Sequence, residues 1–404
     1  MTIVENVEPV TKSHWQWPDR DSWTVGLGIT LGLASSGVGP WIVGGLVDTR
    51  RFDIEQASLM VTVEQMTMGV VMLVLAGILH RLPRRSLLAV GVALALLTQV
   101  FSYLLDSVAA MTALRVLSGV GFACIYSMSM ALGAATRDPD RTFAVGQGMT
   151  QLGAIALNPM LGLGSELPGH KGVFVVVALF CAVLAAPFLA LAFSHRAAPL
   201  KREGKTLHPV SLLSTTVLGV LAVMTIYSVA TGGAWNFMER IALSVGLSGR
   251  HLGSGLIVTS VIGTLGSVLA NRLGTTYGRA WPLCGGLAAL GLATLWLMIP
   301  AAAWQFWTAL SLWAFLFTFT TPFVFGLAAA ADPSGRVVAA TGTAFIIVSA
   351  AGVYFGAFIV AHLGLKVFGA VALAMLAATA VLAAWISRRV NAEALRPTDS
   401  AAPA

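Results

Sequence analysis

Stretches of about 20 or more predominantly apolar residues recur along nearly the whole chain. Each is long enough to cross the roughly 30 Å hydrocarbon core of a bilayer as a helix. Twelve spans are read, at 23–47, 54–79, 86–104, 108–134, 143–165, 172–194, 211–236, 252–272, 281–300, 303–330, 337–361 and 367–387. The runs are unbroken, which points to helices rather than to the short alternating strands of a barrel. Composition agrees. Of 404 residues, 57% are hydrophobic and 10% are charged, against about 25% charged in a soluble domain. With a mean hydropathy of +0.84, a water-soluble globule is excluded. Disorder is excluded because the apolar content is too high. The predicted fold class is an all-α integral membrane protein with twelve transmembrane helices.

An even number of crossings puts both termini on one side. The tails and the loops on that side hold 17 Lys and Arg residues, and the opposite loops hold six: Arg50, Arg51, Lys171, Arg240, Arg250 and Lys366. This bias predicts cytoplasmic termini and a place in the cell's inner (plasma) membrane. The net charge of +7 sits in those loop clusters, so nucleic acid is not expected as a partner. The first 22 residues carry Glu5, Glu8, Asp19 and Asp21 and no apolar core, so no cleavable signal peptide is expected. Cys124, Cys181 and Cys284 fall in apolar stretches and are too scattered for disulfides or a metal site. The loop histidines lack metal-ligand spacing. There is no Gly-rich nucleotide loop and no nucleophile–base set, so neither an enzyme nor a cofactor is expected. No ATPase domain is visible either, so any uphill work across the membrane is expected to draw on an ion or solute gradient.

The longest internal loop, basic and proline-containing, predicts a linker over 195–210. It would join a bundle of six helices at 23–194 to another at 211–388, with cytoplasmic tails at 1–22 and 389–404. An internal repeat supports the division. Arg81 and Arg272 follow helices 2 and 8 and are 191 residues apart. The Asp138-Pro139 and Asp332-Pro333 pairs precede helices 5 and 11, 194 apart. Asp48 ends helix 1 and lies 191 before Glu239, at the end of helix 7.

Several motifs give the chain a resemblance to the major facilitator superfamily. After helix 2, Gly77 leads into His80-Arg81-Leu82-Pro83-Arg84-Arg85, a variant of that family's loop signature. The second-half copy is Asn271-Arg272-Leu273-Gly274. Helix 4 carries Arg115 and Gly119 in an Arg-x-x-x-Gly pattern, and helix 5 echoes the antiporter motif with Asn158-Pro159 and Gly162. The resemblance implies two pseudo-symmetric six-helix bundles. Helices 1, 4, 7 and 10 would line a central cavity, and rocking of the bundles would alternate access to it.

Two charges lie deep in the apolar spans, Glu64 in helix 2 and Arg115 in helix 4. An isolated charge at the bilayer centre costs at least about 2.5–3.5 kcal/mol. The two start from the same face, at depths of roughly 15 and 10 Å for a 1.5 Å rise per residue, so they are expected to meet. The pair is either a permanent pin or, as preferred here, a proton-coupling site. In that reading Glu64 carries the proton, while Arg115 tunes it or holds an anionic substrate. Tyr126 shares a helical stripe with Arg115. Further expected substrate contacts are Trp41, Gln147, Gln151, Tyr227, Trp235, Asn236 and Trp313. Asp48, Glu239 and Arg240, with Arg81 and Arg272 on the opposite face, are the expected gating residues.

The resulting expectation is a monomeric secondary transporter for a small organic solute. An organic or aromatic acid moving by proton symport is preferred, and a proton-driven exporter of lipophilic compounds is the alternative. Its partners are then the solute, protons and the lipid bilayer.

Overall fold

The computed structural model describes residues 19–134, 136, 139–167, 171–194, 214–273, 280–331 and 336–394. The expected linker, most of both tails, Asp138, Asp332 and Gly274 lie outside the described residues, as do the side chains of Gln147 and His80. The first crossing is built from α1 (Arg20–Gly32), α2 (Ala34–Gly37) and α3 (Gly39–Asp48). Then come α4 (Ile54–Ile78), α5 (Arg84–Leu104), α6 (Val108–Ala134), α7 (Pro139–Ser165) and α8 (Gly172–Ser194). The second half holds α9 (Thr215–Asn236), its short extension α10 (Met238–Ser244), α11 (Gly249–Leu273) and α12 (Ala280–Leu297). The chain closes with α13 (Ala303–Ala331), α14 (Arg336–Leu363) and α15 (Leu365–Ala394).

Ten of these helices are long and apolar enough to cross a membrane. The other two expected spans differ. The first is divided into pieces of 13, 4 and 10 residues. Pro40 enters at the start of α3, where its missing N–H breaks the hydrogen-bond ladder after Val38. The fifth, α7, is 27 residues long but carries Gln147, Gln151 and Asn158 and is not among the ten.

Chain direction reverses at each crossing. The turns after α3, α5, α7, α10, α12 and α14 therefore lie at the face opposite the termini, called the outer face here. Asp53 opens α4 there with a capping box: its carboxylate accepts from the Gln56 amide at 2.7 Å, and the Gln56 side chain accepts from the Asp53 amide at 3.3 Å.

In the first half, α6 packs on α1, α4 and α5, α7 on α1, and α8 on α5 and α7. In the second, α9 packs on α14 and α15, α12 on α13 and α15, and α11 on α13. The halves meet along α4–α14, α7–α11 and α3–α10. The α7–α11 seam is backbone against backbone. A Cβ on Gly162 would collide with the Gly249 carbonyl, and one on Gly253 with the Asn158 carbonyl. Small residues permit that approach where lipid supplies no hydrophobic driving force. For the same reason the surface is apolar: Val183 is 70% exposed and Val381 73%.

Candidate functional site

Three features carry polar chemistry inside this frame. The first is an ion pair in the core of the first half. Glu64 of α4 and Arg115 of α6 meet as the depth argument requires, with Arg115 Nη1 donating to Glu64 Oε2 at 3.0 Å. Glu64 Oε1 accepts from the Ser118 hydroxyl at 2.5 Å. Gln99 Oε1 of α5 faces both Arg115 Nη atoms at 3.5 Å, and Ser102 accepts from Nη2. Gln99 Nε2 donates to Ser118 at 3.2 Å. The guanidinium carbon sits 5.1 Å from the Phe174 ring centroid of α8. One guanidinium thus ties four helices together, and it is fully buried, with Glu64 2% exposed. The hydrogen bonds to Gln99, Ser102 and Ser118 help offset the desolvation of both ions, while the buried Arg115 Nε has no hydrogen-bond partner among the described residues.

The second feature is a cavity of about 410 Å³ between the two halves, in the range of small-molecule sites. Ser36, Gln65 and Gln151 line it from the first half, and α9, α11, α13 and α14 line it from the second. Among the described residues its polar lining is hydroxyls and the amides of Gln65, Gln151 and Asn236, and none of these lining residues is charged. One wall is a ladder of rings. Trp235 stacks on Trp313 with centroids 6.2 Å apart, Trp313 on Phe317 at 5.2 Å, and Phe317 on Tyr227 at 6.0 Å.

The third feature closes the outer face across both halves. Arg240 Nη1 of α10 binds Asp48 Oδ1 of α3 at 2.8 Å, while its Nη2 donates to the Gly44 carbonyl. Glu239 is 2% exposed and its carboxylate lies against Gly44, where a Cβ would overlap it. Asn236 lies against Gly39 in the same way. At the α7–α11 seam, Glu166 Oε1 accepts from the Arg250 amide at 3.0 Å. Ser248 and that amide hold the Glu166 carboxyl below its ordinary range. Along α4–α14, Thr62 donates to the Ala350 carbonyl at 3.0 Å, and Glu55 faces His362 at 3.4 Å. Within the first half, Asp106 bridges Lys171, at 2.5 Å, and Arg51. The Lys171 hydrogen bond first, and then the Lys171 and Arg51 charges, draw its carboxyl below the usual range against the penalty of burial.

The expected residues divide accordingly. Gln151, Trp235, Asn236 and Trp313 line the cavity. Arg115, Tyr126, Trp41 and Tyr227 do not. The α6 face that carries Arg115 and Tyr126 packs on its neighbours instead: Ser118, Phe122 and Ser129, at helical spacing with them, are fully buried, and the Tyr126 backbone rests on Gly32 of α1. Trp41 is 1% exposed in the core, and Tyr227 lies behind Phe317 with its hydroxyl 2.7 Å from that of Thr321. Asp48, Glu239 and Arg240 come together. Arg81, in the 3-10 turn Leu79–Arg81, and Arg272, in the last turn of α11, lie at the opposite ends of their crossings, so no single latch contains all five. Gln65 and Phe345 of the lining were not expected, whereas Phe317 belongs to the aromatic run of the tenth span that could favour an aromatic solute. Gln65 carried a usable signal, an amide inside an apolar span next to Glu64, whereas Phe317 and Phe345 do not differ in pattern from lipid-facing phenylalanines.

A comparison with curated proteins gives no significant match. Solved structures do match. A bacterial homologue of the human lysosomal transporter Spinster, inward-facing and unoccupied, superposes with a TM-score of 0.76 at 14% identity, covering 95% of this chain and 100% of that one. A peptide transporter gives 0.72 at 12% identity over 92% and 95% of the two chains. A D-xylose–proton symporter gives 0.68 at 14% identity over 90% and 95%. At these identities the likeness speaks for the fold. The family model of the Major Facilitator Superfamily matches residues 24–353. The chain therefore belongs to the major facilitator superfamily of membrane transporters.

Proposed function

We propose that this transporter carries an uncharged organic solute with an aromatic or flat apolar part, by alternating access between its two halves and with proton symport as the drive. The observation that carries the reading is the cavity: three amides and a ring ladder, with no charged side chain in the lining among the described residues. Bringing an unpaired ion into such a site costs several kcal/mol, whereas stacked rings and amides suit a neutral amphiphile. The acid favoured from the sequence needed Arg115 as its counter-ion, and Arg115 is committed to Glu64, Gln99 and Ser102 away from the cavity. On this reading the Glu64–Arg115 pair pins the first bundle. A fold neighbour, the D-xylose–proton symporter, runs on protons, which supports that drive for this architecture. The packed outer seam corresponds to the state closed on that face, with both termini cytoplasmic in an inner membrane and residues 195–210 linking bundles at 23–194 and 211–388.

A second reading, export of a lipophilic cation, is favoured by the Trp235–Trp313–Phe317 wall, because aromatic faces attract cations. Counterflow into proteoliposomes separates the two. One aromatic skeleton is tested as its amide, its carboxylate and its quaternary ammonium. Uptake of the amide alone supports the proposal. Uptake restricted to the ammonium form favours export of cations, and uptake restricted to the carboxylate removes the argument from the uncharged lining.

A further inference from the structure

The outer seam contains an acid that the cavity chemistry leaves unused. Glu239 lies just past the span Thr215–Asn236, in α10, and is 2% exposed. Its Oε2 has no hydrogen-bond partner among the described residues, and the closest cationic atom is Arg240 Nε at 3.5 Å. Arg240 is itself turned to Asp48 at 2.8 Å and to the Gly44 carbonyl, and its Nε has no hydrogen-bond partner among those residues either. Two carboxylates therefore share one guanidinium, and the more deeply buried of them holds the poorer share.

The surrounding elements bring little else. α3 contributes Asp48 and α10 contributes Arg240. α11 begins with Arg250 and His251, where His251 pairs with Ser248 in the turn. α9 and α13 carry no Asp, Glu, Lys, Arg or His. Burial pushes the Glu239 carboxyl up, Arg240 draws it down, and Asp48 pushes it up again.

We propose that Glu239 is the proton-binding site that controls the outer latch: its protonated form closes the seam against Gly44, and its ionised form favours opening. Opening parts α3 from α10 and exposes this carboxylate to water, where the charged form is hydrated. Closing strips that water and gives back only a shared cation. The state that binds the proton more tightly is favoured as pH falls, so acid closes the latch. The assignment rests on the proton drive proposed above and moves it from Glu64, which is fully hydrogen-bonded, to an acid on the surface where the two halves separate.

The test uses the full-length protein in nanodiscs, with spin labels on Leu167→Cys and Leu363→Cys, two exposed residues on outer turns of opposite halves. Inter-label distances are measured across roughly pH 5–9. The wild-type background should shift from short to long distances as pH rises. E239Q, a neutral stand-in for the protonated acid, should stay short throughout. D48N leaves Arg240 to Glu239 alone, so its transition should move down by about one pH unit. An unchanged pH response in E239Q, or an unmoved midpoint in D48N, overturns the assignment. The readout needs no solute. A wild-type protein that shows the pH shift but carries nothing in counterflow would sink the transport reading and leave the latch standing.

Discussion

Replacing Glu64 by alanine isolates the role of the buried pair. Among the described residues Arg115 is fully buried with one anionic partner, so E64A leaves a guanidinium in the core with only Gln99, at 3.5 Å, Ser102 and the Phe174 ring to hold it. Breaking one side of a buried pair costs about 3–5 kcal/mol. The Ser118 hydroxyl also loses its acceptor, which places the expected loss in the upper part of that range. Removing both charges is different. In the double variant E64M/R115M no buried ion remains and the volume is nearly kept, so stability should return to within about 1 kcal/mol of the parent. Reversible unfolding in mixed detergent micelles, run on E64M, R115M and the double, gives the coupling energy directly. Counterflow in the double should persist, because neither residue lines the cavity. A double variant as unstable as the sum of its singles would refute the energetic argument. A stable double with no transport would return the pair to the coupling role expected from the sequence.

Other consequences are open to measurement. W313A removes the middle of the ring ladder and should weaken solute binding by roughly 3–10-fold, read by quenching of the remaining tryptophans; undiminished affinity would place the solute elsewhere. G44A puts a methyl group where the Glu239 carboxylate lies, so the outer-face spin labels should move apart at a pH where the parent is closed, and unchanged distances would show that the seam tolerates the methyl. Asp106 has a depressed carboxyl, so its contribution to stability is present above the ordinary carboxylate range and is lost as pH falls through its lowered value. The effect is small because the site is exposed, and D106N should flatten the acid limb of the unfolding curve below about pH 4. If D106N and parent lose stability in parallel there, the Lys171 and Arg51 bridges contribute nothing measurable.

The helical class, the order of the crossings and the meeting of Glu64 with Arg115 were legible in the residues themselves. Backbone groups in hydrocarbon have no water to bind, so a 20-residue apolar run has little choice but helix. A deep charge needs a partner, and only one opposite charge lay at a matching depth. The facing of each helix was not legible. Val177 and Cys181 of α8 are buried while Leu179 and Val183 of the same helix are 56% and 70% exposed, yet all four are apolar. Lipid is as oily as the protein core, so the inside–outside contrast that reports facing in water is missing. For that reason the residues alone do not decide whether the α6 face with Arg115 and Tyr126 lines a cavity or packs on neighbours, and they do not single out Gln65. The uncharged lining among the described residues and the Arg240–Asp48 bridge join residues nearly 200 or more positions apart, which only the packing of the two halves brings together, and the ring ladder joins α9 to α13 across about 80–90 positions within the second half.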